Sequence, residues 1–128
     1  MPDSELRHIL YVDDEPDMRM LVQLTLENMG SMKVTACESG FEAVEIAQNN
    51  APQLILLDVL MPDMDGPAVL KEIMSNPKTA NIPVIFLTGR SAADSVASYK
   101  EMGAKGVLAK PFDLVALPDQ VRTLWKEC

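Results

Sequence analysis

Three aspartates, a threonine and a lysine stand where short apolar runs end. Asp13 and Asp14 follow His8-Ile9-Leu10-Tyr11-Val12, and Asp58 follows Leu54-Ile55-Leu56-Leu57. Thr88 and Gly89 follow Ile82-Pro83-Val84-Ile85-Phe86-Leu87, and Lys110 follows Gly106-Val107-Leu108-Ala109. A carboxylate at the edge of a core is costly to bury unless a cation or a hydrogen-bond donor meets it. Carboxylates brought together repel one another and hold a hard cation well, and Mg²⁺ takes oxygen ligands of this kind. A carboxylate is also a nucleophile able to carry a phosphoryl group. Transfer of that group needs positive charge around its oxygens, which a metal and a lysine supply. On this chemistry Asp58 attacks, the metal and Lys110 neutralise, and Thr88 senses the bound group.

Such a cluster forms only if the runs are parallel neighbours whose carboxyl ends share one sheet edge. The pattern between them supports this. Asp17 to Met29 carries a helical stripe of Met18, Leu21, Val22, Leu26 and Met29, with Gly30 as a stop. Met32 to Cys37 alternates as a strand, and Ser39-Gly40 opens a helix bearing Phe41, Ala43, Val44, Ile46 and Ala47. Gly66 to Met74 is a third helix. Ser91 to Met102 is a fourth, with Ser91 as N-cap and Gly103 as stop. Asp113 to Trp125 is a fifth, with Asp113 as N-cap. Strands alternating with helices predict an α/β fold, a parallel sheet covered on both faces. The unbroken apolar third and fourth strands fit burial from both sides. Ligands of such sheets bind beyond the carboxyl ends of the strands.

Composition narrows the function. The 128 residues fit one domain, 1–128, and an apolar content of 48% fits an ordered core. A net charge of −8 argues against direct contact with nucleic acid, which relies on basic patches. No apolar stretch approaches the roughly 20 residues of a membrane helix, and the acidic start lacks a signal-peptide core. Cys37 and Cys128 fit no metal spacing. Cys37 reads as a small core residue and Cys128 as a terminal thiol, which together suggest a cytoplasmic protein.

The motifs together resemble the receiver domains of two-component response regulators, in particular the stand-alone chemotaxis type. The resemblance rests on Val12-Asp13-Asp14-Glu15, on Asp58 with Met61-Pro62-Asp63-Met64-Asp65-Gly66, on Leu87-Thr88-Gly89, and on Gly103-Ala104 through Lys110-Pro111-Phe112. It covers about residues 7 to 126. It implies a flavodoxin-like, doubly wound sheet of five parallel strands in the order 2-1-3-4-5, with five helices. It implies that Asp58 takes a phosphoryl group from the phosphohistidine of a sensor histidine kinase or phosphotransfer protein, switching a surface that binds a downstream protein target. The chain would then catalyse its own phosphorylation and dephosphorylation. The resemblance further implies that Asp14, Asp58 and the backbone carbonyl of Leu60 hold Mg²⁺, with Asp13 acting through water. Thr88 and Lys110 would contact the phosphoryl oxygens, and Lys110-Pro111 would be a cis peptide.

Two positions that tune phosphoryl lifetime in that family correspond here to Leu60 and Arg90. An apolar Leu60 cannot orient an attacking water, so slow self-dephosphorylation is expected. The family's inward-turning aromatic on the fifth strand corresponds to Val107, a departure that weakens the expected coupling to Thr88. Alternatives are a phosphorylation-independent binding module and a receiver excised from a larger regulator or hybrid histidine kinase. An aspartyl phosphatase would call for a second acid where Leu60 stands. A flavin-binding flavodoxin would call for a Ser/Thr/Gly-rich loop where Asp13-Asp14-Glu15 would repel phosphate.

The remaining polar residues receive plainer readings. Asp63 and Asp65 are expected to shape the turn around Gly66, and His8 is given no chemical role. The methionines are expected to fill the core, with Met61 and Met64 offering a soft contact near the acids. Tyr99 and Trp125 are read as partly buried or as partner contacts.

Overall fold

The computed structural model describes residues 5–61, 63–89, 93–110 and 113–128, apart from the side chains of residues 93–95. Five strands and five helices alternate: β1 (His8–Val12), α1 (Pro16–Asn28), β2 (Lys33–Cys37), α2 (Gly40–Asn50), β3 (Leu54–Asp58), α3 (Gly66–Ser75), β4 (Val84–Thr88), α4 (Ala93–Met102), β5 (Gly106–Ala109) and α5 (Leu117–Lys126). All neighbouring strands pair in parallel, in the order β2-β1-β3-β4-β5. This is the expected flavodoxin-like sheet.

Strand alternation splits the apolar residues into two cores. Ile9, Tyr11, Leu54, Leu56, Ile85, Leu87 and Leu108 pack with Val22 and Leu26 of α1 and with Leu117 and Val121 of α5. Leu10, Val12, Ile55, Leu57, Val84 and Phe86 pack with Ala43 and Ala47 of α2 and with Val69, Leu70 and Ile73 of α3. Tyr99 of α4 joins this second core, its ring meeting Phe86 edge-on at a centroid distance of 5.0 Å. Every residue of β3 and β4 is buried, as their unbroken apolar character requires.

Local chemistry sets the helix ends. Ser39 caps α2, its hydroxyl accepting the Glu42 N–H at 3.1 Å. Asp65 caps α3 by accepting the Ala68 N–H at 2.9 Å, which is its turn-forming role. Gly103 ends α4 with φ 119°, a conformation that favours glycine. One expectation is corrected here. Asp113 does not cap the last helix: its carboxylate accepts the Val115 N–H at 3.1 Å and its carbonyl the Ala116 N–H, closing a turn. The helix itself begins later, at Leu117, with Pro118 in its first turn and Ala116 as N-cap without a side-chain bond. Ser91, the expected cap of α4, and Pro111, the expected cis residue, lie outside the described residues.

Candidate functional site

The parallel register brings the carboxyl ends of β1, β3, β4 and β5 to one edge. Asp58 closes β3 opposite Leu87 of β4, and Thr88 lies opposite Ala109 of β5. The ladder continues one residue past β1, with the Asp13 N–H bonded to the Cys37 carbonyl at 3.1 Å. It also continues past β5, with the Lys110 N–H bonded to the Thr88 carbonyl at 2.8 Å. Asp13, Asp58, Thr88 and Lys110 are therefore held by the strand ladder itself.

Lys110 joins two of the acids. Its Nζ lies 3.0 Å from Asp13 Oδ2 and 3.0 Å from Asp58 Oδ2. Asp13 is fully buried and Asp58 nearly so, whereas Asp14 is exposed. One carboxylate oxygen from each of Asp13, Asp14 and Asp58 can be chosen so that all lie within 4.8 Å of one another. Three carboxylates against one ammonium leave an excess of two negative charges in formal terms. That excess and the all-oxygen donor set fit a divalent hard cation such as Mg²⁺. Asp14 is the acid of the three most open to solvent, so a hydrated ion can reach it.

Thr88 sits at the same edge and is buried. It has the strand parity of Val84 and Phe86, which pack toward α3. Leu60 turns its backbone over the site, its N–H donating to Asp58 Oδ1 at 3.3 Å, while its side chain is 79% exposed. Arg90 lies outside the described residues.

The electrostatics follow from burial. Burial pushes the Asp58 carboxyl above its ordinary value; the hydrogen bond and charge of Lys110 oppose that rise, and the charge of Asp13 adds to it. Burial pulls the Lys110 ammonium down, but hydrogen bonds to Asp13 and Asp58 outweigh it, and the net shift is upward. The lysine thus stays charged between its two partners.

Two residues given no role from the sequence shape the site. Tyr11 donates its hydroxyl to Asp13 Oδ2 at 2.7 Å. Burial first, and then the bond to Asp13, push that phenol well above its usual range. Its signal was its position two residues before Asp13, which puts both on one strand face. Arg19 of α1 donates to the Asp13 carbonyl at 2.8 Å and faces Glu38 at 3.7 Å. Asp63 also does more than shape its own turn: its carboxylate accepts the Gly40 and Phe41 N–H groups at 3.4 Å each, tying the loop after β3 to the start of α2. His8 bonds Thr35 Oγ1 at 2.9 Å, away from the site.

Comparisons with known proteins agree with this arrangement. The family profile "Response regulator receiver domain" matches residues 9–122. The response regulator Rre1 of Synechocystis is 37% identical over 117 residues, covering 91% of this chain and 50% of that protein. The structure of the chemotaxis response regulator CheY4 of Vibrio cholerae superposes with a TM-score of 0.86 at 29% identity, covering 93% of this chain and 98% of that one. The signal receiver domain of a histidine kinase from Syntrophus aciditrophicus superposes with a TM-score of 0.80 at 35% identity, covering 94% and 90%. The chain spans half or less of the length of the curated relatives it matches. With its parallel sheet and its acids gathered on a lysine at one edge, the chain belongs to the response regulator receiver domain family of two-component signalling.

Proposed function

We propose that this chain is a phosphoacceptor switch in which Asp58 receives a phosphoryl group and Asp13, Asp14, Thr88 and Lys110 serve the transfer. The observation that carries the reading is the placement of Lys110 Nζ 3.0 Å from both Asp13 and Asp58. A carboxylate oxygen of Asp58 attacks the phosphorus, a P–O bond forms, and the bond from phosphorus to the donor's nitrogen or oxygen breaks. Asp14, Asp58 and the Leu60 carbonyl would hold Mg²⁺, with Asp13 acting through water. When bound, the ion supplies charge neutralisation for the phosphoryl oxygens. Lys110 moves from its carboxylate pair to a phosphoryl oxygen, and the Thr88 hydroxyl donates to another. The incoming group adds about −1.5 to −2 charges at this edge and so biases the loop after β4.

The physiological donor is a phosphohistidine of a sensor kinase or phosphotransfer protein, and the output is a downstream protein contact. Family membership supports these assignments. The single domain could act alone or as the receiver of a longer regulator or hybrid kinase. Among the described residues no helix is long and apolar enough to cross a membrane, and both cysteines are free thiols; we assign the chain to the cytoplasm.

Intact-mass measurement after incubation with phosphoramidate and Mg²⁺ tests the reading. A phosphoryl mass gain that requires Mg²⁺ and is absent from Asp58→Asn is expected. No gain in the wild-type chain, with the donor active on another receiver, would leave a phosphorylation-independent binding module.

A further inference from the structure

Tyr11 is fully buried between the sheet and the α1 and α5 helices, in a position where an apolar ring would fill the same space. Its hydroxyl nevertheless reaches Asp13 Oδ2 at 2.7 Å. The same oxygen accepts Lys110 Nζ at 3.0 Å, and Asp13 Oδ1 accepts the Glu15 N–H at 3.0 Å. Asp13 is thus held by three donors of different kinds. The Glu15 N–H is fixed by backbone at the start of α1, and the Tyr11 hydroxyl is fixed by a buried ring. Lys110 is long, shared with Asp58, and leaves for the phosphoryl group in the reading above. Once it leaves, Tyr11 is the rigid donor that remains on Oδ2.

We propose that Tyr11 is a positioning residue that keeps the Asp13 carboxylate in one orientation toward the divalent cation, before and after Lys110 changes partners. This rests on the phosphoacceptor reading. A carboxylate with a fixed partner on each oxygen cannot swing about its χ2 axis, so a hydrated ion meets acceptors already in place. Groups that hydrogen-bond to metal-binding side chains set metal affinity in this way. Nothing in the proposal requires Tyr11 to touch the ion or the phosphoryl group.

The test compares wild type, Tyr11→Phe, Asp13→Asn and the double variant. Tyr11→Phe keeps the ring in the core and removes only the donor. Mg²⁺ binding to the unphosphorylated protein is measured by calorimetry, and the Mg²⁺ dependence of phosphorylation by phosphoramidate is followed by intact mass. Tyr11→Phe is expected to weaken Mg²⁺ binding about tenfold. The half-saturating Mg²⁺ should rise by the same factor, while the rate at saturating Mg²⁺ stays within about twofold of wild type. In the Asp13→Asn background, adding Tyr11→Phe should have no effect on Mg²⁺ affinity. Unchanged affinity in Tyr11→Phe would overturn the proposal. So would the same loss recurring in the Asp13→Asn background, which would mark a general loosening of the core. A wild-type chain that neither binds Mg²⁺ nor gains phosphoryl mass would instead remove the phosphoacceptor reading itself.

Discussion

Lys110 Nζ stands 3.0 Å from Asp58 Oδ2, yet the Asp58 carboxyl is still pushed above its ordinary value. Burial explains the apparent conflict. The strand end removes water from the carboxylate, the neighbouring Asp13 adds repulsion, and a lysine divided between two acids only partly offsets them. The resting site therefore carries two more carboxylates than ammonium groups, with Asp14 counted beside Asp13 and Asp58. An acid left in this condition favours a divalent cation beside it, as the proposed function requires.

Stability should record this strain on Asp58. A carboxyl whose folded value is raised binds its proton better folded than unfolded. Its contribution is fully present below the unfolded value of 3.8 and is lost as pH rises through the folded value. Ionised Asp58 thus lowers stability at neutral pH when Mg²⁺ is absent. Asp58→Asn is expected to melt higher than wild type at pH 7, by roughly 4 °C for each kcal/mol recovered. The gap should close as pH falls below the unfolded value. Calorimetric melts across pH check this, and a lower melting temperature for Asp58→Asn at pH 7 would contradict it.

Lys110→Met should act in the opposite direction. It leaves Asp13 and Asp58 facing each other without an intervening cation, and breaking such a buried pair costs about 3 kcal/mol. Mg²⁺ can restore part of the missing charge. Urea melts should therefore show a larger gain from added Mg²⁺ in the variant than in wild type, although phosphorylation is slower. Equal gains in both proteins would separate Lys110 from the acid cluster energetically.

Gly66 stands just beyond the loop that leaves Asp58. Its N–H donates to the Val59 carbonyl at 2.8 Å. A Cβ built on it would lie 2.9 Å from Val59 Cα and 3.0 Å from the Asp58 carbonyl oxygen. Both are backbone atoms and neither can rotate away. Gly66→Ala is expected to cost about 2 kcal/mol through overpacking, and to weaken Mg²⁺ binding because the shift falls on Asp58 and Leu60. A fully folded Gly66→Ala with wild-type Mg²⁺ affinity would show that the loop has slack.

Much of this was legible in the chain because β3 and β4 read as unbroken apolar runs. Their length and flanking turns set the strands, and the residues ending them could only meet at one sheet edge. Gly106–Ala109 was legible for the same reason. The start of α5 was not. Asp113 has the chemistry of an N-cap, but a turn competes for its carboxylate, and the sequence does not say which wins. Tyr11 was hidden because β1 reads as apolar whichever way its hydroxyl faces. The family's inward aromatic on the fifth strand corresponds here to Val107, which is half-buried. The structure supplies a ring to that core from α4 instead, with Tyr99 against Phe86. Such a contact crosses elements and leaves no local pattern.

Phosphoryl lifetime offers a prediction at Leu60. Hydrolysis of an acyl phosphate needs a water aligned with the phosphorus, and a polar side chain held close by is what aligns it. The Leu60 N–H points at Asp58 Oδ1, so this residue is anchored beside the carboxylate proposed to carry the phosphoryl group. Its side chain is exposed and apolar, offering that water neither a donor nor an acceptor. Phosphorylated wild-type protein, desalted to remove donor and followed by intact mass, is expected to lose its phosphoryl group slowly. Leu60→Glu should hasten the loss by at least about tenfold, because a carboxylate then reaches the attacking water. Only the side chain changes, so the Leu60 carbonyl proposed for Mg²⁺ is retained and Mg²⁺ affinity should not fall. Loss of the group within seconds from the wild-type chain would mean that another residue positions the water, and that Leu60 does not set the lifetime.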